Sequence, residues 1–400
     1  MTRHSKYFAL LAILTLGAVC FTSCEDEDNE EKMGNWVEAG VNFPGTSRGG
    51  AVCFVIDNKA YIGTGANTKN TEDRERFVDF FYCTANTPAG TNGTLKWSAV
   101  GEVASMPKVN RDGQNVARNG AVAFSLNGKG YVGTGYNGKT YLKDFWEYDP
   151  EANTWTQIDD YPGDTCRYAV AFVIPAQYNK FGKDMAYVGT GEDFLSEKKS
   201  HFFAFDGKTW EPVTAIGQPR AQAQAFVAEG YNRDGQIQQY GYVAGGNNGG
   251  SIDWFQRYNA MTDDWEHLNR LGDHTAYDFD DDYLGLPLYG GVSFVVNSPN
   301  AEGQRAYIAT GSTKGGAGTA CWEYNPYYDY WLQKTSFEGY PRKFAVSFVL
   351  KFPNPYGPGE LDIPFVTTGA SGDITVTGAG GEFYTDTHYF RPYEPFEPRD

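Results

Sequence analysis

Three features of this 400-residue sequence predict an all-β fold made of six similar four-stranded units. A glycine that closes a short apolar phrase recurs at Gly65, Gly135, Gly191, Gly246, Gly311 and Gly369, at intervals of 70, 56, 55, 65 and 58 residues. Repeats of this length mark stacked supersecondary units, none of which can bury both faces alone. The composition agrees: 48 glycines suit turns, and 28 tyrosines, 27 phenylalanines and nine tryptophans suit pleated surfaces. Finally, no long stretch combines helical periodicity with caps.

The clearest unit runs from Arg118 to Trp155. Ala121–Leu126 is an apolar first strand, and Asn127-Gly128 after it is a tight hairpin turn. Tyr131–Gly135 is a second strand ending in glycines, Phe145, Trp146 and Tyr148 mark an aromatic third strand, and Asp149-Pro150 breaks it. Trp155 opens a fourth strand, and Trp97, Trp210, Trp265 and Trp331 mark the same place in other units. First strands are predicted at Ala51–Ile56, Ala169–Ile174, Ala225–Ala228, Val292–Val296 and Ala345–Leu350. The sixth unit has no tryptophan after its third strand, whereas Gly34-Asn35-Trp36-Val37-Glu38 reads as an orphan fourth strand. Pairing the two closes a ring without open edges between the termini. The prediction is a six-bladed β-propeller over residues 35–395, its last blade sealed by the strand around Trp36.

The pattern resembles kelch-repeat propellers, on Arg118, Tyr131–Gly135, Asp144, Trp146, Tyr148, Asp149-Pro150, Thr154 and Trp155. Kelch blades usually carry a double glycine, and only Gly245-Gly246 supplies it here; the other phrases read Gly-Thr-Gly, Ala-Thr-Gly or Thr-Thr-Gly. The architecture is similar to that of galactose oxidase and N-acetylneuraminate epimerase. No match to the copper-ligand set of galactose oxidase is present.

The net charge of −17 argues against nucleic acid as a partner, which needs a basic footprint. Residues 1–23 read as a signal segment, with Arg3, His4 and Lys6 before an apolar run. Phe21-Thr22-Ser23-Cys24 resembles the lipobox of bacterial lipoproteins, which implies a lipid on Cys24 and anchoring in the outer membrane of a Gram-negative cell. Residues 24–34 follow as an acidic tether, and such tracts resemble surface-export signals.

Cys53, Cys83, Cys166 and Cys321 lie far apart without zinc-ligand spacing and read as buried free thiols. His201, His267, His274 and His388 show no metal-ligand spacing, and no cofactor motif is present. Asp278 and Asp280 to Asp282 supply spaced oxygens, but Tyr283 stands where an EF-type loop needs glycine, so a solvated acidic loop is the simpler reading. Gly311 to Gly316 lacks the phosphate-loop spacing.

Strand parity puts the second-to-third loops and the links between blades on one face, called upper below. Six residues before the first-strand phenylalanine stand Arg48, Arg118, Arg220 and Arg342; Arg167 comes one place later, and unit five offers Tyr289. These arginines are expected at the upper mouth of the central channel, with Asn137 and Asn247 on the same face. Two roles are open to them. A guanidinium fork suits carboxylates of a ligand, as arginines of some kelch adaptors grip acidic peptides, or each arginine could brace its neighbours internally.

Three functions follow from this reading. One is a surface-anchored protein that binds an anionic glycan or protein at the mouth. Another is a sugar-active enzyme such as an acidic-sugar mutarotase, with Glu192 and Asp193 as candidate acid and base. The third is a scaffold in a cell-surface complex.

Overall fold

A computed structural model of the chain describes residues 33–69, 75–86, 94–272, 285–297, 303–313, 315–354, 357–374 and 381–397. Cys24 and the Asp278–Asp282 segment lie outside these residues. Among the described residues the strands form six antiparallel sheets, each built on a path of four strands that runs in chain order from the axis outward except at the outer edge of the last blade; the first sheet also carries a short fifth strand, Glu75–Arg76. They are the blades of a β-propeller. In blade 2 the strands are Val122–Leu126, Lys129–Gly133, Phe145–Asp149 and Thr154–Gln157. Blade 6 takes Val346–Pro353, Glu360–Thr367 and Thr387–Pro395, and its fourth strand is Met33–Glu38 from the start of the chain. Pairing begins at Met33 opposite Pro395, one residue before the expected strand start.

The blades are held by a repeated aromatic contact. Each first-strand phenylalanine lies opposite an aromatic ring of the second strand and stacks on it: Phe54 on Tyr61, Phe124 on Tyr131, Phe172 on Tyr187, Phe226 on Tyr242, Phe294 on Tyr307 and Phe348 on Phe365. Centroids are 5.0 to 5.5 Å apart and no pair is tilted by more than 18°. At five junctions the third strand of the following blade then supplies an edge or tilted ring, as Tyr148 does for Tyr61 and Phe205 for Tyr131, whereas Cys83 holds that place beside blade 6. Such pairs add about 0.5–1.5 kcal/mol beyond the apolar area that they bury. At the seam Trp36 packs on Phe390, Phe337 and Phe294 and donates its indole N–H to the Thr335 carbonyl.

A closed hydrogen-bonded ring encircles the upper end of the channel. The N–H of Gly120 donates to the carbonyl of Gly50, Tyr168 to Gly120, Gln222 to Tyr168, Gly290 to Gln222, Phe344 to Gly290, and Gly50 to Phe344, at 2.7 to 3.0 Å. All six residues have φ between 57° and 64°. Three are not glycine, so the closure outweighs a local strain of about 1–2 kcal/mol at each. A second set of bonds runs beside it, from the N–H of Gly65, Gly135, Gly191, Gly246, Gly311 and Gly369 to carbonyls of the next blade. The residue before each of these glycines is also left-handed: Thr64, Thr134, Thr190, Gly245, Thr310 and Thr368. This accounts for the single double glycine. A Cβ on Gly245 would sit 2.3 Å from the Leu288 carbonyl oxygen, whereas the other five blades accommodate threonine.

Below the ring the channel is lined in tiers by alternate residues of the first strands, as strand alternation requires. The upper tier is Ala51, Ala121, Ala169, Ala223, Gly291 and Ala345. Cys53, Ala123, Ala171, Ala225, Ser293 and Ser347 follow, around a cavity of about 240 Å³. Cys53 is partly buried and Cys83, Cys166 and Cys321 are buried; all four are free thiols. Burial pushes the Cys166 thiol up to about 12.

Candidate site at the upper mouth

Counted from the hydrogen-bonded ring, the residue two places earlier is Arg48, Arg118, Cys166, Arg220, Leu288 and Arg342 in blades 1 to 6. The four arginines were expected to converge on the mouth, and the structure turns them elsewhere. All four are fully buried. Each donates from Nε to the carbonyl two residues back, at Thr46, Val116, Gln218 or Tyr340. Each then crosses the top of its own blade toward the residue before the third strand. Arg118 meets Asp144 through two 2.8 Å bonds, Arg48 meets Asp79 at 2.5 and 3.0 Å, and Arg342 meets Asp386 at 2.5 Å. The physical reason is compensation: a buried guanidinium persists only with a counter-charge or a full set of acceptors. Where the arginine is absent, so is the acid; blades 3 and 5 have His201 and Ala320 at the position of Asp144.

Blade 4 breaks that pairing. Arg220 faces Trp254 where the aspartate would stand, and it is satisfied by Gln218, Gln256 and the Trp254 carbonyl. Burial without a carboxylate pulls its guanidinium down to about 10.

Arg167 is one place later in register, so it belongs to a different ring: Gly49, Asn119, Arg167, Ala221, Tyr289 and Lys343. This ring rims the mouth. Arg167 lies 4.9 Å from the ring centroids of Tyr141 and Tyr168 and 5.6 Å from Tyr136. Its guanidinium meets Glu192, which also accepts from Lys198 at 2.5 Å. Across the axis, Lys343 stands over Tyr289 and Phe344, at 5.6 and 5.7 Å, and pairs with no carboxylate among the described residues. The floor between these cations is an aromatic plug in which Tyr168 stacks on Phe344 at 5.3 Å and packs with Ile374. The Tyr168 hydroxyl, Asn119 Nδ2, Gln222 Oε1 and Ser312 Oγ are buried at this level without hydrogen-bond partners among the described residues. Burial raises the Tyr168 hydroxyl, with Asp373 and Glu192 adding to the effect against Arg167.

The other expected site residues have mixed fates. Tyr289 reaches the mouth as half of the Lys343 contact. Asn137 is buried and holds its own turn, donating to Asn115 and accepting from the N–H groups of Lys139 and Thr140. Asn247 is half-buried and accepts from Gly249 N–H. Glu192 is buried between its two cations. Asp193 is bound by Lys199 and by the Leu195 and Glu197 N–H groups, and the Lys199 hydrogen bond leads in holding its carboxyl below the usual range. The acid and base candidates are thus both held as paired carboxylates.

Lys343, Asn119, Tyr141, Tyr168 and Arg76 were not read as site residues from the sequence. Arg76 joins the mouth by donating to Asn119 Oδ1 and lying 4.7 Å from the Tyr136 ring. A signal for Lys343 existed: like Arg167, it stands five residues before its first-strand phenylalanine. Nothing marked Arg76, which lies in Glu75–Arg76, a two-residue strand that pairs with Ala66 and Asn67 outside the four-strand repeat. No group of three or more potential metal ligands is present among the described residues. No helix among them is long and apolar enough to cross a membrane.

A ring of six four-stranded blades with these internal arginine braces defines the protein as an all-β six-bladed propeller. Residues 117–160, which comprise blade 2, match the family model of the Kelch motif. Among solved structures the fold is similar to that of YjhT, with a TM-score of 0.55 and 15% sequence identity over 87% of this chain and 95% of that one. Comparison with curated proteins by sequence returns no match.

Proposed function

We propose that this propeller is a surface-anchored binding protein that holds an anionic glycan at its upper mouth. The observation that carries the reading is the charge of the rim. Arg167 and Lys198 share one carboxylate, Glu192, and Lys343 has no acid partner among the described residues, in a chain of net charge −17. Cations set against aromatic faces, with unpartnered amide and hydroxyl groups between them, suit a ligand that has carboxylates, hydroxyls and apolar ring faces. The channel beneath is lined by small uncharged side chains and offers no counter-charge, so the ligand stays above the plug.

The N-terminal strand supports the orientation. Met33 pairs with Pro395 at the lower rim, and the strand climbs to Glu38 opposite His388. A lipid on Cys24 therefore tethers the lower face and leaves the mouth pointing away from the membrane. Binding of acidic glycans on an array, compared with Lys343→Met and Arg167→Met, tests the mouth; a loss of at least tenfold in affinity is expected. Unchanged binding by both variants, or capture of acidic proteins alone, overturns the reading. For the anchor, Cys24→Ser is expected to abolish labelling by a radioactive fatty acid and to release the protein from the membrane fraction. A mutarotase draws no support from Glu192 and Asp193, and acceleration of anomer exchange seen by NMR would replace binding with catalysis.

A further inference from the structure

Beside the mouth, on the link into blade 6, stands an aromatic side chain that the repeat does not require. The residue two places before the brace position is Thr46, Val116, Asp164, Gln218, Leu286 and, in blade 6, Tyr340. Tyr340 is 67% exposed, yet it is held in place. Its ring stacks on Tyr384 with centroids 5.5 Å apart and planes within 7°. The Arg342 guanidinium lies 4.7 Å from the Tyr384 centroid, and Arg342 Nε donates to the Tyr340 carbonyl at 3.0 Å, which fixes the backbone beneath the ring. Arg342 itself is locked to Asp386. An ordered aromatic face left open to solvent has already lost the side-chain entropy that a ligand would otherwise have to remove.

We propose that Tyr340 is a stacking platform for a pyranose ring, and that the ligand is an oligosaccharide reaching outward from Lys343. This rests on the glycan reading of the mouth and adds its length and direction. Tyr340 and Lys343 share one link, three residues apart and so within about 10 Å of backbone. Glu382, two residues before Tyr384, pairs with Lys69 at 2.6 Å, and Tyr340 is the one exposed large aromatic side chain among the described residues of blade 6. A single exposed aromatic face fits a sugar, which presents one apolar C–H face and a rim of hydroxyls. A protein partner needs a broader apolar contact.

The test is calorimetry with trigalacturonate, a heparin tetrasaccharide and sialyllactose, each beside its acidic monosaccharide. For the oligosaccharide that binds, Tyr340→Ala is expected to weaken affinity roughly five- to tenfold and leave the monosaccharide unchanged. Tyr340→Phe and Tyr340→Trp are expected to retain it. Thermal unfolding of Tyr340→Ala should match the parent, because the ring is exposed. If Tyr340→Ala leaves the oligosaccharide unaffected, or weakens both probes equally, the platform is overturned while loss of both on Lys343→Met still upholds the mouth. Absence of binding by every probe overturns both.

Discussion

Arg118 and Asp144 meet through two parallel 2.8 Å hydrogen bonds, with the guanidinium wholly buried and the carboxylate almost so. The same carboxylate accepts the Trp146 indole N–H at 2.8 Å, which ties the brace to the third strand of its blade. An arginine placed this way is occupied on every side. It organises the link between blades and leaves the mouth to the residue that follows it.

Removing one partner of that pair should be costly. Arg118→Met and Asp144→Asn are each expected to lower stability by about 3–5 kcal/mol in urea unfolding, because the remaining charge is left buried. Burial works to raise the Asp144 carboxyl, but Arg118 and the hydrogen bonds outweigh it and hold the group below its ordinary value. A carboxyl depressed on folding stabilises above its unfolded pKa, near 3.9, and this contribution is lost as pH falls through the lower folded value. Acid unfolding followed by circular dichroism should therefore be flatter below about pH 4 in Asp144→Asn than in the parent.

Arg220 offers the converse experiment. Trp254→Asp puts a carboxylate where Asp79, Asp144 and Asp386 stand in their blades, whereas Trp254→Asn puts a neutral group of the same shape there. The aspartate variant should exceed the asparagine variant by about 1–3 kcal/mol in unfolding free energy at pH 7, the range for a charge-assisted hydrogen bond. Equal stabilities would mean that the amides and carbonyls around Arg220 already meet its whole demand.

The glycine phrase gives a prediction that separates one blade from another. Gly245→Thr should destabilise by at least about 2 kcal/mol or fail to fold, because the Leu288 carbonyl occupies the space its Cβ needs. Thr134→Gly, at the equivalent place in blade 2, exchanges left-handed strain for chain entropy and should shift unfolding by no more than about 1 kcal/mol. Thermal melts of the two variants decide it.

At the seam, Trp36→Ala is expected to cost about 3–5 kcal/mol, as large buried aromatics do, and to expose the outer edge of Thr387–Pro395 when the strand frays. Size-exclusion chromatography near 40 °C should then show concentration-dependent association. A monomeric, fully stable Trp36→Ala would mean that the ring is closed by other contacts.

Legibility differed between fold and site. Glycine spacing, the apolar first strands and the tryptophans were enough for six blades, and the leftover Trp36 predicted their closure. The site was legible only in part. Four of five arginines stood in the right register but pointed away from the mouth, and the acids that hold three of them lay 26 to 44 residues downstream, a separation no local pattern reveals. Arg167 was already set apart by one residue. That single place moved it from the braces to the rim.

What the sequence by itself determined is the repeat and its closure, because strand period, turn residues and blade length are local properties that six copies reinforce. Only the tertiary structure decided which cations are spent internally and which stand at the mouth. That choice depends on where each carboxylate lies in space: Asp144 reaches Arg118, while Lys343 has no such neighbour among the described residues. It also depends on the hydrogen-bonded ring that turns one residue inward and its predecessor across the blade. Burial and pairing are collective, so they became visible only when the blades stood side by side.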